Sequence, residues 1–515
     1  MISILVCHSY FLRFDPKQAE RGKPYPPLAT LQVAAMLRQA GHQVALFDAM
    51  LADGLEEYEA KLEATRPQVV LLYEDNFNFL SKMCLGKMRE AACRMIGRAR
   101  HAGARVIASG PDVSDSPETY LRAGADITLK GEGLGALMEL LSRLSAKLNA
   151  PAGELIQGVS GAATGGGDIL VKVNGVGSHP PTPGGSNSAS IPQTEMAAWD
   201  LVDMDRYRAV WMRSHGYFSL NMAASRGCSF RCTWCAKPIW GNQYLQRSAA
   251  SVAAEMDYLR RTFNPGHIWF ADDIFGFRVD WVNEFAAAVS ANGGGIPFTI
   301  QTRADLLSER MATALAAAGC KEAWLGAESG SQHILDAMNK GTTVAEIITA
   351  RARLQATGIR VGFFIQLGYL DEQLPDILAT RQLLETARPD DVGVSVSYPL
   401  PGTKFYELVK VQLGGKTHWQ DSDDLAMMFR GTYTSEFYRA IRDLIHEQVS
   451  LQIREKDVPA NEKSPARRAL DRSWHKLLGR ESLYRSQADV TLKEVTAYEA
   501  RLGASTGTVG RRSVD

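Results

Sequence analysis

Seven cysteines occur in the 515-residue chain, and three of them, Cys228, Cys232 and Cys235, crowd into one short run. The spacing C-x3-C-x2-C offers three thiolates to a cube of four irons and leaves one iron without a protein ligand. An open iron is a place where a small molecule binds and receives an electron. Two other readings of the spacing stay open. Offsets of four and three residues put the positions on one face of a helix. Yet Gly227 precedes the run, Ser229 and Thr233 interrupt it, Pro238 follows, and Leu, Ile and Val are absent from it. A structural zinc takes four ligands, often as two pairs. Cys7, Cys84, Cys93 and Cys320 are scattered singly, so His215 or His267 would have to complete such a site. A disulfide framework does not suit a long chain with few, unevenly spaced cysteines.

The cysteines must be positioned by the elements around them. Residues 219–225, just ahead of the triplet, read as an apolar strand. Further strands are expected at 267–273, 297–303, 322–328, 360–366 and 391–397, separated by helical intervals. Six such βα units predict a partial (β/α)6 TIM-type barrel, whose chemistry gathers at the C-terminal strand ends. Those ends are polar here: Asp272 and Asp273, then Gln301 and Arg303, then Glu328 and Ser329, then Gln366. One strand-end carboxylate is often only a helix cap, Asp273 and Asp305 included. Four polar ends converging on the rim that carries the cysteines point to a binding site.

Residues 1–148 alternate apolar strands at 2–7, 44–48, 69–73, 106–109 and 127–129 with helical stretches, one of them at 28–39. Strand–helix alternation gives a parallel sheet covered on both faces, here an N-terminal flavodoxin-like doubly wound domain. Ligands of such sheets lie beyond the carboxyl ends of the strands. Those ends supply the loops 8–25 and 74–79, Ser109-Gly110-Pro111 and Gly131-Glu132-Gly133, whose glycines let the backbone approach a bulky ligand. Residues 149–205 have linker composition around a small hairpin expected near 169–173. The barrel is expected over 206–410. The remainder, 411–515, reads as a helical region with an amphipathic helix over 435–454 and a frayed tail at 511–515.

With Trp234 just ahead of its last cysteine, the triplet resembles the cluster loop of radical S-adenosylmethionine (SAM) enzymes. Residues 271–275, 302–305, 326–330 and 340–343 are similar to barrel segments of that family. Residues 24–32, Gly41-His42, Ser109-Gly110-Pro111 and Gly131-Glu132-Gly133 resemble the cobalamin (B12)-binding domain of one of its subgroups, so that the resemblance spans about residues 1 to 410. It implies a [4Fe-4S] cluster on Cys228, Cys232 and Cys235, with SAM on the open iron near Trp234, Asp272, Arg303, Glu328, Ser329 and Gln366. Arg303 suits the SAM carboxylate and Glu328 its ribose hydroxyls. Cobalamin would lie beside Glu74, Ser109, Gly110, Pro111, Gly131 and Glu132. One departure is that the Asp-x-His-x-x-Gly cobalt-ligand motif is missing; His8 stands at a strand end without its Asp and Gly and reads as a capping histidine. Many members of the subgroup lack that histidine too, and a domain that binds nothing is the other reading.

The implied activity is reductive cleavage of SAM to a 5′-deoxyadenosyl radical, used for cobalamin-dependent methylation of an unactivated carbon. Radical cyclisation, C–C coupling or rearrangement of a porphyrin, lipid or natural product without methyl transfer is the alternative. A cobalamin or iron–sulfur sensor is the non-enzymic one. The methylthiotransferase branch fits less well, because Cys7, Cys84 and Cys93 do not follow its N-terminal cysteine pattern. No acid–base catalytic residue is singled out. A small-molecule or lipid-like substrate and an electron donor such as flavodoxin or ferredoxin are the expected partners. Lys and Arg number 57, as do Asp and Glu, so net charge gives no footprint for nucleic acid or an anionic membrane. No apolar run is long enough for a membrane span, the N-terminus reads as a first strand, and unpaired cysteines suit the cytoplasm.

Overall fold

The computed structural model describes residues 1–78, 86–149, 196–235, 243–414, 425–455 and 464–486. The hairpin expected near 169–173 and the tail at 511–515 lie outside the described residues, as do Phe79, Cys84 and Pro238. Strands β1 (Ser3–Cys7), β2 (Gln43–Phe47), β3 (Val69–Tyr73), β4 (Arg105–Ser109) and β5 (Ile127–Leu129) form a parallel sheet in the order β2-β1-β3-β4-β5. Alternate residues leave the sheet on opposite faces. Ile4, Val6 and Leu71 meet the helix Leu28–Gln39, while Leu5, Cys7 and Leu72 meet the helices Leu55–Thr65 and Gly86–His101. Strand β3 is buried along its whole length, as a strand covered on both faces must be. The strand order reverses between β1 and β3, the switch point at which doubly wound sheets hold ligands.

The first of these two cores does not end with the domain. It runs on through Trp199, Tyr207 and Trp211 into the apolar layer beneath the second sheet. The helix Met204–His215 is the bridge: Trp211 donates to the Pro24 carbonyl (2.7 Å) and Tyr207 to Asp48 (2.7 Å).

The second sheet begins with β6 (Ser219–Met222); β7 (Ser225–Gly227) and β8 (Tyr244–Gln246) then pair antiparallel. It continues with β9 (His267–Phe270), β10 (Phe298–Thr302), β11 (Cys320–Glu328), β12 (Arg360–Leu367) and β13 (Asp391–Val396), giving six parallel strands in the order β13-β12-β11-β10-β9-β6. The single strand expected over 219–225 is in fact two. The Asp272 carboxylate accepts from the Ala224 backbone N–H (3.0 Å) and from the Ser225 hydroxyl, which bends the chain out of β6 and into β7. Helices between the strands start on side-chain caps from Ser248, Ser308 and Thr343. Along β11, Ala323, Leu325 and Ala327 are buried under these helices, whereas Glu322, Trp324 and Gly326 on the concave face are only half-buried. The amphipathic helix is found over Ser435–Arg454 and packs against the edge strand β13, covering backbone groups that an open edge would leave exposed. The helix Pro465–Leu478 packs on it in turn. Among the described residues no helix is long and apolar enough to cross a membrane.

Candidate functional site

The cysteine loop leaves β7 through Gly227, whose φ of +75° a side chain would strain. Cys228 is buried; Cys232 and Cys235 are half-buried. The middle of the loop is held by three separate segments that connect or follow the strands of the second sheet. Thr233 donates its N–H to the Met338 carbonyl (2.9 Å), its hydroxyl meets the Tyr369 hydroxyl (2.6 Å), and its carbonyl accepts from the Phe405 N–H (3.0 Å). Asn339 adds a bond to the Arg231 carbonyl (2.9 Å). Next along, the Trp234 indole N–H is buried without a partner among the described residues.

At the end of β10, the buried Arg303 guanidinium lies 3.8 Å from Cys232 Sγ and 3.6 Å above the Phe230 ring. It is fixed there by Asp305 (2.9 Å), the Lys340 carbonyl (2.6 Å) and Thr342 (3.0 Å). Such a fork presents fixed N–H donors to a thiolate or a carboxylate. Glu328, at the end of β11, has φ +60° and is buried against Lys340 Nζ at 2.7 Å. A strained, non-glycine residue at a strand end is a mark of function. Gln366 donates to Ser397 (2.9 Å) on the next strand end. The other two expected SAM neighbours are turned to structural partners. Ser329 meets Thr380 (3.2 Å) and accepts from the Ser331 N–H (3.1 Å). The Asp272 carboxylate is taken up by Ala224 and Ser225, and burial pushes it up to about 7. Lys340, Tyr369 and Arg226 were not singled out individually from the sequence; only the Lys340-Gly341 motif marked the first of them.

The C-terminal edge of the first sheet gathers Glu74, Ser109, Gly110, Pro111, Gly131 and Glu132. Glu74 is buried and accepts from the Ser9 hydroxyl (2.6 Å) and N–H (3.2 Å); burial, offset in part by Ser9 and His8, holds it above the usual carboxylate range. A side chain at Gly110 would strike Glu74 at 2.7 Å, so the two loops approach as closely as only glycine permits. Ser109 Oγ and Asn76 Oδ1 are buried without a partner among the described residues. His8 is already engaged: its Nε2 lies 2.9 Å from Asp48 and 3.1 Å from the Ala49 N–H. Burial opposes its protonation, but Asp48, with Glu74 and Asp75 nearby, raises its pKa overall. Arg226, two residues before Cys228, reaches out of β7 to Glu132 and Gln32 and lies 5.9 Å from the Phe77 ring. One side chain thus joins the cysteine loop to three elements of the first sheet's rim.

Residues 222–384 match the radical SAM superfamily, and residues 18–141 match the B12 binding domain. The chain carries a radical SAM domain and a B12-binding domain. The chain is 27% identical to an uncharacterized methyltransferase of Pyrococcus horikoshii over 75% of its own length and 79% of that protein. It is 25% identical to the hopanoid C-3 methylase of Methylococcus capsulatus, over 75% of the chain and 69% of the relative. Its fold is similar to that of TsrM from Kitasatospora setae, a radical SAM methyltransferase solved with cobalamin and a [4Fe-4S] cluster. The TM-score is 0.61 at 19% identity, covering 80% of this chain and 79% of that one.

The radical SAM domain implies a [4Fe-4S] cluster and SAM, and the B12 domain implies cobalamin. Among the described residues no three His, Cys, Asp or Glu side chains close on one point, as the ligands of a single zinc would. A cluster spreads its thiolates over separate irons, so it asks for a looser set. The loop fits that need, with the Arg303 guanidinium beside the Cys232 thiol. The first rim fits a bulky polar ligand, with a close glycine approach and two buried oxygens left without partners among the described residues.

Proposed function

We propose that this chain is an enzyme that cleaves SAM reductively and uses the resulting radical for cobalamin-dependent methylation of an unactivated carbon. The observation that carries the reading is the Arg226–Glu132 contact, which sets the cysteine loop directly against the rim of the B12 domain. When bound, a reduced [4Fe-4S] cluster supplies the electron that breaks the sulfonium S–C bond of SAM, and cobalamin supplies the methyl carrier.

Cys228, Cys232 and Cys235 hold the cluster, and Arg303 lends positive charge both to Cys232 and to the SAM carboxylate. Glu328, kept in place by Lys340, accepts hydrogen bonds from the ribose, and Gln366 and Trp234 line the same pocket. Asp272 and Ser329 act one step back: Asp272 shapes the entry to the cysteine loop and Ser329 anchors the end of β11. On the opposite rim Glu74, Ser109, Gly110, Pro111, Gly131 and Glu132 cradle cobalamin. His8, engaged by Asp48 and Ala49, would not be the residue that ligates cobalt. A cytoplasmic electron donor of the flavodoxin or ferredoxin type supplies the reducing equivalent, and the substrate is a small or lipid-like molecule.

The test is anaerobic reconstitution with iron and sulfide, followed by SAM and a strong reductant. The wild type yields 5′-deoxyadenosine and Cys232→Ser does not. Wild-type protein that carries a cluster and still releases no 5′-deoxyadenosine overturns the reading. Transfer of label from methyl-labelled SAM to product separates methylation from ring closure.

A further inference from the structure

Resting on that proposed activity, we infer that the concave face of the second sheet carries a stacking platform, Trp324 with Phe364, for a flat, conjugated or fused-ring part of the substrate. The two rings stack with centroids 4.8 Å apart and planes 28° from parallel. Both side chains are half-buried, in strands whose alternate residues are fully buried beneath the helices. A closed barrel fills this face with interlocking apolar layers. Here glycines stand where those layers would be. A Cβ at Gly362 would sit 2.6 Å from the Trp324 ring, and one at Gly393 would sit 3.3 Å from Phe364 and 3.5 Å from Trp324. The indole therefore lies close against the backbone of β12 and has no room to fold away. The result is a rigid stacked pair, half-buried on this face, whose ring surface outside the stack suits a rigid flat partner. A flexible chain is better served by adaptable side chains such as Met.

The platform sits within reach of the chemistry. Thr302, just before Arg303, pairs with Leu325, just before Gly326; Gly326 pairs with Phe364, and Phe364 with Gly393. Phe364 is thus two strands from Arg303, roughly 10 Å across the sheet at the usual strand spacing. Between them, over Gly326, lies the Glu328–Lys340 pair, whose Oε1 and Nζ stand 2.6 Å from where a side chain at Gly326 would begin. Below the platform the face turns polar. His267 bonds Ser219 (2.8 Å) and Thr299 (2.9 Å), and Thr299 donates to Glu322 (3.3 Å). That row sets the depth to which an apolar body can enter.

The experiment is calorimetric titration of the anaerobically reconstituted full chain with two carboxylate probes, flat pyrene-1-butyrate and flexible dodecanoate. Pyrenebutyrate is expected to bind at least tenfold more tightly than dodecanoate, and its Kd to rise at least tenfold in Trp324→Leu and in Phe364→Leu. Phe364→Tyr, which keeps the ring, should retain binding and guards against a folding artefact. Equal affinity for the two probes, or leucine variants that bind pyrenebutyrate as the wild type does, overturns the platform. SAM cleavage measured on the same wild-type preparation tests the proposed activity separately. Preferred binding of the flat probe without cleavage leaves the platform standing and removes the radical chemistry; cleavage without the preference does the reverse.

Discussion

Glu372→Gln should stabilise the protein, and by an amount that depends on pH. Glu372 closes the turn that follows β12; one oxygen accepts from the Gly368 N–H (2.7 Å), and the other is buried without a partner among the described residues. Burial, with Asp376 nearby, pushes its carboxyl from 4.5 up to about 8. The folded-state pKa lies above the unfolded one, so the folded protein binds the extra proton between these values and stability falls as pH rises through the window. At about 1.4 kcal/mol per pKa unit, a shift of this size costs roughly 5 kcal/mol above pH 8 and nothing below pH 4.5. Glutamine keeps an acceptor for Gly368 and carries no charge. The two proteins should therefore melt within about 2 °C of each other at pH 5, with the variant about 10 °C higher at pH 9 for a domain of this size. Anaerobic thermal scans at matched cluster content, from pH 5 to 9, measure the gap. A gap of constant size across that range, or a variant less stable at pH 9, refutes the reasoning. The same turn carries Tyr369, so cluster absorbance followed in parallel reports whether the strain reaches the cysteine loop.

Tyr369→Phe removes the hydroxyl that meets Thr233; at about 1 kcal/mol for one hydrogen bond, cluster absorbance in air should bleach several-fold faster than in the wild type. Arg226→Met breaks a charge-assisted contact worth about 2 kcal/mol, and hydrogen exchange around Gln32 and residues 131–133 should accelerate on the order of 30-fold. Unchanged protection there would show that the arginine does not hold the rims together. In the cob(II)alamin-loaded protein, electron paramagnetic resonance should lack histidine nitrogen coupling, because His8 is engaged by Asp48 and Ala49. Coupling that disappears in His8→Ala would overturn that assignment.

Much of this architecture was legible because parallel strands announce themselves as short apolar runs. Strands at Val69–Tyr73 and Ile127–Leu129, and helices at Leu28–Gln39 and Ser435–Arg454, fall where the residue pattern places them. The break between β6 and β7 was not legible, because it is imposed by Asp272, a residue far along the chain that reaches back to Ala224 and Ser225. Strand β8 was missed for a related reason: its only ladder is with the three residues of β7. Cys228, Cys232 and Cys235 stand out by spacing alone. Arg226, Lys340 and Tyr369 do not, because each matters through a partner that only folding supplies. The concave face was hidden as well, since Trp324 and Phe364 look like ordinary core residues until the glycines beside them are seen.

The apolar core that passes from the first sheet through Trp199, Tyr207 and Trp211 makes the B12 domain a wall of the barrel rather than a detachable module. Cutting the chain between the two units would bare that core on both pieces, and neither should remain monomeric alone.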